Sequence, residues 1–241
     1  MSNQTTPTLL CLHGMACSGA VFNLFADAWA GPIVAPDLAG HGSAARLPTY
    51  GIDRYASDIE ARFPELFAEP AELVLFGHSM GGAVALELAR THSVRAVLAI
   101  GVVTVWEPER VAQMSSVADK RVRWFDDQEA AEAWFLKVSG MFGLIDVGTT
   151  IAASGVVEDD GRWRLRADPE TYRSGPPPSM ADQLADIECL VRLGRGGNDE
   201  MVPVEQVAPY DSNFMSVPGA GHSPHAEVPS DLAAAITAFI S

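Results

Sequence analysis

Ser79 stands between two glycines in the stretch LVLFGHSMGG, where an apolar run ends and a helix-like segment begins. One interpretation is a tight turn in which Ser79 caps the helix, since glycine permits the bend. The other is a serine nucleophile on a strained strand-to-helix turn, the context that a G-x-S-x-G motif requires. On that interpretation Met80 N–H, at the helix N-terminus, would donate to a developing oxyanion.

A serine hydroxyl needs a general base, and two histidines near the C-terminus are candidates. His222 follows a strand-like segment and a Gly-Ala-Gly loop in FMSVPGAGHSPH, and such a loop can carry an imidazole across the end of a sheet. His225 lies beyond Pro224 and fits the start of a helix better. The chain order of serine, acid and histidine favours His222 as the base.

The acid that orients this histidine is expected after the preceding strand. Asp199 follows the Gly-Gly turn of CLVRLGRGGNDEMVP, and its carboxylate would fix the imidazole tautomer and stabilise the imidazolium. We expect the adjacent Glu200 in solvent, while Glu107, after the segment AIGVVTVW, is the alternative acid. The predicted catalytic residues are therefore Ser79, Asp199 and His222.

His13 and Gly14 follow the first apolar run, in LCLHGMACSG. One interpretation is a strand-ending turn with a polar cap. On the other, Gly14 permits a close approach and Met15 N–H is the second oxyanion donor, worth about a hundred- to a thousandfold in rate. His13 and Gly14 would then also border the bound substrate.

Five blocks of the sequence carry a resemblance to a known family. They are LHGMACSG, PDLAGHGSA, GHSMGG, RGGNDEMVP and GAGHSPHAEVP, and their order and approximate spacing resemble those of the α/β-hydrolase superfamily. The resemblance implies a small single-domain serine hydrolase with an inserted helical cap, without a metal or an organic cofactor. It also implies that Asp37, His41 and Ser43 order a loop near the site entrance.

The elements that must position these residues follow from hydrophobic periodicity. Short apolar runs alternate with helix-period segments, which predicts an α/β fold with a mostly parallel β-sheet flanked by helices. The runs are TLLCLHG, PIVAPD, ELVLFG, RAVLAIGVVT, CLVRLG and NFMSVPG. Arg192 lies within one of them, so we expect that strand near the sheet edge, where the guanidinium reaches solvent. Ser230 is the expected N-cap of the last helix.

Between residues 106 and 182 the alternation of apolar runs and helix-period segments is absent. We predict that this stretch is a mostly helical cap and that residues 1–105 and 183–241 form the hydrolase core. Because a small insertion has little interior, some of its tryptophans are expected to line the underside of the lid. These tryptophans are Trp106, Trp124, Trp134 and Trp163.

Three arginines of the predicted cap alternate around a tryptophan in RWRLRAD. In an extended segment Arg162, Arg164 and Arg166 would share one face. A solvated surface strand is one interpretation. If the face borders the cleft instead, the substrate carries a carboxylate.

The amino-acid composition favours a small molecule as the binding partner over nucleic acid or a membrane surface. A formal net charge of -15, with no Lys/Arg-rich run, argues against nucleic acid and anionic lipid. With no signal-like N-terminus and no apolar stretch of about 20 residues, the expected location is cytoplasmic. Cys11, Cys17 and Cys189 lack a Cys-x-x-Cys spacing, so we expect reduced thiols and no disulfide.

Together these features predict cleavage of a small-molecule ester, lactone, thioester or amide through an acyl-enzyme on Ser79. A carbon–carbon bond hydrolase of a diketone ring-cleavage product is an alternative, although such relatives usually have more glycine and proline after His-Gly and often an asparagine where this chain has His78. A ligand receptor on the same scaffold is the other alternative. A receptor has no need of the base and the acid, so the complete set of residues argues against it.

Overall fold

Six parallel strands form one sheet, in the order β2-β1-β3-β4-β7-β8. The structure is a computed structural model that describes residues 6–69 and 72–241, so residues 1–5 and 70–71 of the predicted core lie outside it. The strands are β1 (Thr8–Leu12), β2 (Ile33–Val34), β3 (Leu73–His78), β4 (Ala96–Ile100), β7 (Leu190–Gly196) and β8 (Met215–Val217). Each predicted apolar run overlaps one of them, with β3 and β7 extending one and two residues further, and the predicted α/β fold is confirmed.

Nine α-helices and one hairpin complete the part of the chain that the structure describes. The hairpin strands are β5 (Val156–Asp159) and β6 (Arg162–Leu165), which pair antiparallel. The helices are α1 (Asn23–Ala26), α2 (Ile52–Arg62), α3 (Met80–Thr91), α4 (Pro108–Ala118), α5 (Gln128–Val138), α6 (Thr150–Ser154), α7 (Met180–Leu184), α8 (Pro224–Glu227) and α9 (Pro229–Ile240). None of the helices described is long and apolar enough to cross a membrane.

The sheet is covered on both faces, which is why its central strands are continuously apolar. Every residue of β3 and β4 is buried. Side chains alternate along a strand, so Val74 and Phe76 pack in the cluster that contains α9. Leu73 and Leu75 pack on the other face with α2 and α3.

The last elements of the chain show where Arg192 lies and how α9 begins. Arg192 lies on β7, next to the edge strand, and its guanidinium pairs with Asp211 at 3.2 Å. The expectation that Ser230 caps α9 is wrong, because the helix begins at Pro229 with Val228 at the N-cap position. Proline suits the first helical position because its φ is already helical and it has no N–H to satisfy.

The segment between β4 and β7 contains α4 to α7 and the hairpin. Side chains of α5 and β5 join the same hydrophobic cluster as one face of the sheet. The predicted boundary at residue 182 falls inside α7, whose Gln183 Nε2 donates to Ala83 O on α3 at 3.0 Å. The division into core and cap stays a prediction.

Candidate active site

Ser79 occupies a strained turn between β3 and α3. Its φ of 53° and ψ of -119° are rarely adopted by a residue with a side chain, and strain of this kind concentrates at functional sites. A Cβ at Gly77 would lie 2.2 Å from Gly81 O, and one at Gly81 would lie 2.1 Å from Leu12 O. Ser79 makes no side-chain capping bond. Ser79 therefore occupies the N-cap position of α3 without capping the helix through its side chain, and both glycines are required by close packing.

Asp199, which is buried, and His222, which is partly exposed, form a hydrogen-bonded pair after β7 and β8. His222 Nδ1 donates to Asp199 Oδ2 at 2.9 Å, which leaves Nε2 as the acceptor nitrogen of the neutral ring. Asp199 Oδ1 accepts from Met201 N at 2.9 Å and Val202 N at 3.2 Å. Burial opposes ionisation of Asp199, but His222 and these two amides outweigh it and lower the pKa of the carboxyl group.

The His222 imidazole lies at the carboxyl end of β3 and β4, beside the nucleophile turn. His78 Nε2, one residue before Ser79, donates to His222 O at 2.7 Å. A Cβ at Gly101 would lie only 3.1 Å from His222 Cε1. Among the described residues, Ser79 Oγ and His222 Nε2 make no hydrogen bond to one another, an arrangement common in unliganded sites that tightens when substrate binds.

The two residues predicted to supply oxyanion amides lie beside Ser79. Met80 N–H begins α3, where the first amides of a helix have no intrahelical acceptor. Met15 lies in the loop after β1, where Ala16 has a φ of 58° and its amide donates to His41 Nε2 at 3.2 Å. Both Met15 and Met80 line the same cavity as Ser79. Their role as the two oxyanion donors stays a prediction.

Buried histidines hold the loop that presents Met15. His13 Nε2 accepts from Leu38 N at 2.9 Å, and His41 Nδ1 donates to Ala39 O at 3.1 Å. Desolvation lowers the pKa of His41 to about 3 and lowers the pKa of His13 as well. Both rings are therefore neutral and act as fixed hydrogen-bonding groups.

Asp37 orders the neighbouring loop, as the resemblance implied. Its carboxylate accepts from Gly19 N at 2.8 Å, from Ser43 N at 2.7 Å and from Ser43 Oγ at 3.0 Å. Three hydrogen bonds to one carboxylate fix the entrance loop against the 3-10 helix that begins at Gly19.

Ser79 opens into a small apolar space, the first cavity, of about 170 Å³. Its wall includes Met15, Ser79, Met80, Val102, Trp106 and Met114. Arg110 is the charged residue of this wall, and its guanidinium lies 5.4 Å from the Trp106 ring centroid. The lining therefore suits an uncharged group of modest size.

A larger space, the second cavity, of about 520 Å³ lies beside the first. Its basic residues are Arg46, Lys120, Arg121, Arg123 and Arg164, and its aromatic residues are Trp124, Trp134 and Tyr172. The two cavities thus differ in charge as well as in size.

The tryptophans predicted to contact substrate do not all line the same cavity. Trp106 lines the first cavity, and Trp124 and Trp134 line the second. Trp163 lines neither cavity, since it packs against the sheet cluster and pairs with Phe125, and its contact with substrate stays a prediction.

His13 and Gly14 are buried and line neither cavity, so their contact with substrate stays a prediction. The small size of Gly14 matters at the nucleophile turn, since an added Cβ would lie 3.3 Å from Ser79 Cβ.

Sequence reasoning missed two residues that hold the catalytic loops. Glu227 accepts from the amides of Gly221 at 2.6 Å and Ser223 at 2.8 Å, one on each side of His222. Arg195 is buried and donates to three carbonyl oxygens of the Asp199 loop: Gly197, Asp199 and Val202. The spacing of these two residues was the only signal in the sequence. Glu227 lies five residues after His222, and Arg195 lies four residues before Asp199.

The predicted alternatives for the base and the acid are placed elsewhere. His225 is buried between Phe22 and His78, with ring centroids 4.9 and 4.6 Å away, and neither of its nitrogens has a partner among the described residues. Burial lowers its pKa to about 3. Glu107 is exposed at the start of α4. Among the residues described, no cluster of His, Cys, Asp or Glu could hold a metal ion.

Comparison with known proteins adds an independent line of evidence. A sequence model described as the alpha/beta hydrolase family matches residues 9–235. The protein is 25% identical to the sn-1-specific diacylglycerol lipase ABHD11 of Mus musculus, covering 99% of this chain and 82% of that protein. It is 25% identical to the probable protein phosphatase methylesterase 1 of Caenorhabditis elegans, with 97% and 68% covered. The solved structure of E-2-(acetamidomethylene)succinate hydrolase superposes with a TM-score of 0.80 at 26% identity, with 97% and 91% covered.

Proposed function

Since the chain belongs to the alpha/beta hydrolase family and is a hydrolase, we propose that it cleaves a small-molecule ester, lactone, thioester or amide through an acyl-enzyme on Ser79. One observation carries the proposal. Ser79 sits on a strained turn that faces a cavity, and the hydrogen-bonded pair of Asp199 and His222 lies at the same edge of the sheet. The names of the relatives, a lipase and a methylesterase, favour an ester.

In the first half-reaction Ser79 Oγ attacks the carbonyl carbon while His222 Nε2 accepts the hydroxyl proton. The carbonyl π electrons move onto oxygen, where Met15 N–H and Met80 N–H donate to the oxyanion. Asp199 stabilises the imidazolium through Nδ1, and its lowered pKa keeps the carboxylate ionised at neutral pH. When the tetrahedral intermediate collapses, His222 returns the proton to the leaving group.

In the second half-reaction water replaces the leaving group. His222 Nε2 removes a proton from water, the hydroxide attacks the acyl carbon, and the same two amides stabilise the new oxyanion. Collapse releases the acid and returns the proton to Ser79. Every proton and electron pair is then accounted for by the protein, the substrate and one water molecule.

The size of the first cavity limits the apolar part of the substrate. With about 170 Å³ of space, the first cavity is small beside the second, of about 520 Å³. A short acyl or alcohol chain therefore fits the site better than a long one. We also propose that residues 106–182 act as the cap over this site, because Trp106 and Met114 form part of the cavity wall.

The test is hydrolysis of p-nitrophenyl esters of increasing acyl length by the wild type and by Ser79→Ala. We expect the wild type to prefer short acyl chains and Ser79→Ala to lose at least about a thousandfold in kcat. Ser57→Ala, on the exposed face of α2, is the matched control and should keep full activity. Ester turnover that survives in Ser79→Ala would refute the acyl-enzyme. Turnover of a vinylogous diketone alone would identify a carbon–carbon bond hydrolase instead.

A further inference from the structure

The second cavity concentrates positive charge on a protein whose formal net charge is -15. It is lined by Arg46, Lys120, Arg121, Arg123 and Arg164, and no carboxylate is part of its lining. A single-sign wall of this kind attracts anions through the local field, even where the protein as a whole repels them.

Three of these five cations have no ion-pair partner within the described part of the chain. Arg46 lies 3.6 Å from Asp168, and Arg164 lies 3.1 Å from Asp159. The remaining three, Lys120, Arg121 and Arg123, make no salt bridge with a described residue. Their charge is therefore available to a ligand.

Aromatic rings contact two of the cavity arginines, Arg123 and Arg164. The Arg123 guanidinium lies 4.3 Å from the Trp134 ring centroid and 5.0 Å from that of Phe125. The Arg164 guanidinium lies 5.7 Å from the Trp124 ring. Stacked guanidinium groups lose little freedom on binding, and their planar donors match a carboxylate or a phosphate in two hydrogen bonds.

The second cavity lies next to the first, because neighbouring residues of two segments line the two cavities. In the loop after β1, Met15 lines the first cavity and Ala16 the second. On α4, Met114 lines the first and Val117 the second. These pairs are separated by one peptide unit of about 3.8 Å and by less than one helical turn of about 5.4 Å. Along both segments, residues that line the two cavities are thus close neighbours.

We propose that the second cavity binds a carboxylate or phosphate group of the same substrate whose scissile carbonyl lies at Ser79. The apolar part of that substrate occupies the first cavity, and Arg121 and Arg123 hold the anionic part. The inference rests on the proposed hydrolase function and adds the substrate class, an anionic ester or thioester.

Matched ester pairs test the charge preference. The first pair is 4-acetoxybenzoate and its neutral methyl ester, with 4-acetoxyphenyl phosphate as the phosphate arm. The second pair is mono-4-nitrophenyl adipate and 4-nitrophenyl methyl adipate, which carries the charge on the acyl side. Each kcat/KM is divided by the rate of alkaline hydrolysis, so that intrinsic reactivity cancels. We expect a preference of at least tenfold for the anionic member of one pair, and the phosphate arm identifies the favoured anion.

Substitutions then locate the preference. The double variant Arg121→Gln/Arg123→Gln should lower the ratio of anionic to neutral kcat/KM by about tenfold, mainly through KM. Arg162→Gln is the control, because Arg162 is a nearby arginine on the hairpin of Arg164 that pairs with Asp126 and does not line the cavity. It should leave the ratio within twofold of the wild type. Raising the salt concentration should reduce the preference of the wild type.

A binding measurement keeps this inference separate from the proposed function. Ser79→Ala is titrated with 4-acetoxybenzoate, 4-acetoxyphenyl phosphate and the neutral methyl ester, and the fluorescence of Trp124 and Trp134 reports occupancy. The anions should bind at least tenfold more tightly than the neutral ester, and adding the two arginine substitutions should abolish the difference. Equal binding, together with equal hydrolysis within both pairs, would overturn the inference while leaving an active hydrolase intact. Charge-dependent binding without ester turnover by the wild type would support the anion site and refute the proposed reaction.

Discussion

Buried histidines should make the folded protein sensitive to mild acid. Desolvation lowers the pKa of His41 and of His225 to about 3. It also lowers the pKa of His13 and of His78. The rings lie against one another, His13 at 5.1 Å from His41 and His78 at 4.6 Å from His225, so a charge on one opposes a charge on the next. Each is therefore neutral in the folded protein at neutral pH.

The sign of the pH dependence follows from proton binding. An unfolded histidine takes up a proton near pH 6.5, whereas these folded histidines do not. The unfolded state then binds more protons, so the free energy of unfolding falls as the pH drops through 6.5 towards 3. Between pH 7 and 5.5 each such histidine costs a little over 1 kcal/mol, hence about 2 to 3 kcal/mol for His41 and His225 together. His13 and His78 add to the loss.

This loss is large against an ordinary stability of about 5 to 15 kcal/mol. The carboxyl groups of Asp37 and Asp199 also have lowered pKa values, but their stabilising contributions are lost only below about pH 4. The interval from pH 7 to 5.5 therefore isolates the histidines.

Urea unfolding followed by tryptophan fluorescence at pH 7 and pH 5.5 measures the effect. His225→Leu should reduce the difference between the two pH values by about 1 kcal/mol. It should not lower stability at pH 7, because it removes two buried nitrogens that have no partner among the described residues. Val217→Ala, which deletes buried methyl groups, should lower stability equally at both pH values. Equal stability of the wild type at pH 7 and 5.5 would refute the reasoning.

Three further substitutions probe the site and its turn. Asp199→Asn should lower kcat for p-nitrophenyl acetate by about 10³- to 10⁴-fold with folding intact, because an amide favours the wrong tautomer of His222. Glu227→Gln should lower kcat about tenfold with KM within twofold, because the loop around His222 loses charge-assisted bonds to two amides. Gly77→Ala should lower the free energy of unfolding by more than about 3 kcal/mol, since its Cβ would meet backbone at 2.2 Å.

Each of these substitutions has its own control and its own contrary result. Full activity of Asp199→Asn would show that another acid serves His222, and Glu107→Gln would then be the variant to measure. Glu227→Asp should recover part of the kcat lost in Glu227→Gln, whereas a KM effect alone would argue against loop positioning. Gly140 has a φ of 76° but open space around it. Gly140→Ala should therefore lower the free energy of unfolding by only about 1 to 2 kcal/mol. An equal cost at both glycines would contradict the packing argument.

Local patterns in the chain determined the sheet and the nucleophile turn. The apolar runs of β3 and β4 predict buried parallel strands because a strand covered on both faces has no polar side. The turn at Ser79 was predictable because two glycines are required where a strand, a loop and a helix meet at backbone contact distance. The order of Asp199 and His222 after their strands follows from the same rule, since parallel strands bring their carboxyl ends to one edge.

Tertiary packing alone decided which neighbours those residues meet. Trp163 and Trp134 belong to the same insertion, yet one packs in the sheet cluster and the other lines the second cavity. His13 follows a strand, like a site residue, but its ring bonds to an amide 25 residues away. Sequence periodicity specifies the face of an element on which a side chain lies. The partner across that face depends on how distant segments dock, and only the folded structure contains that information.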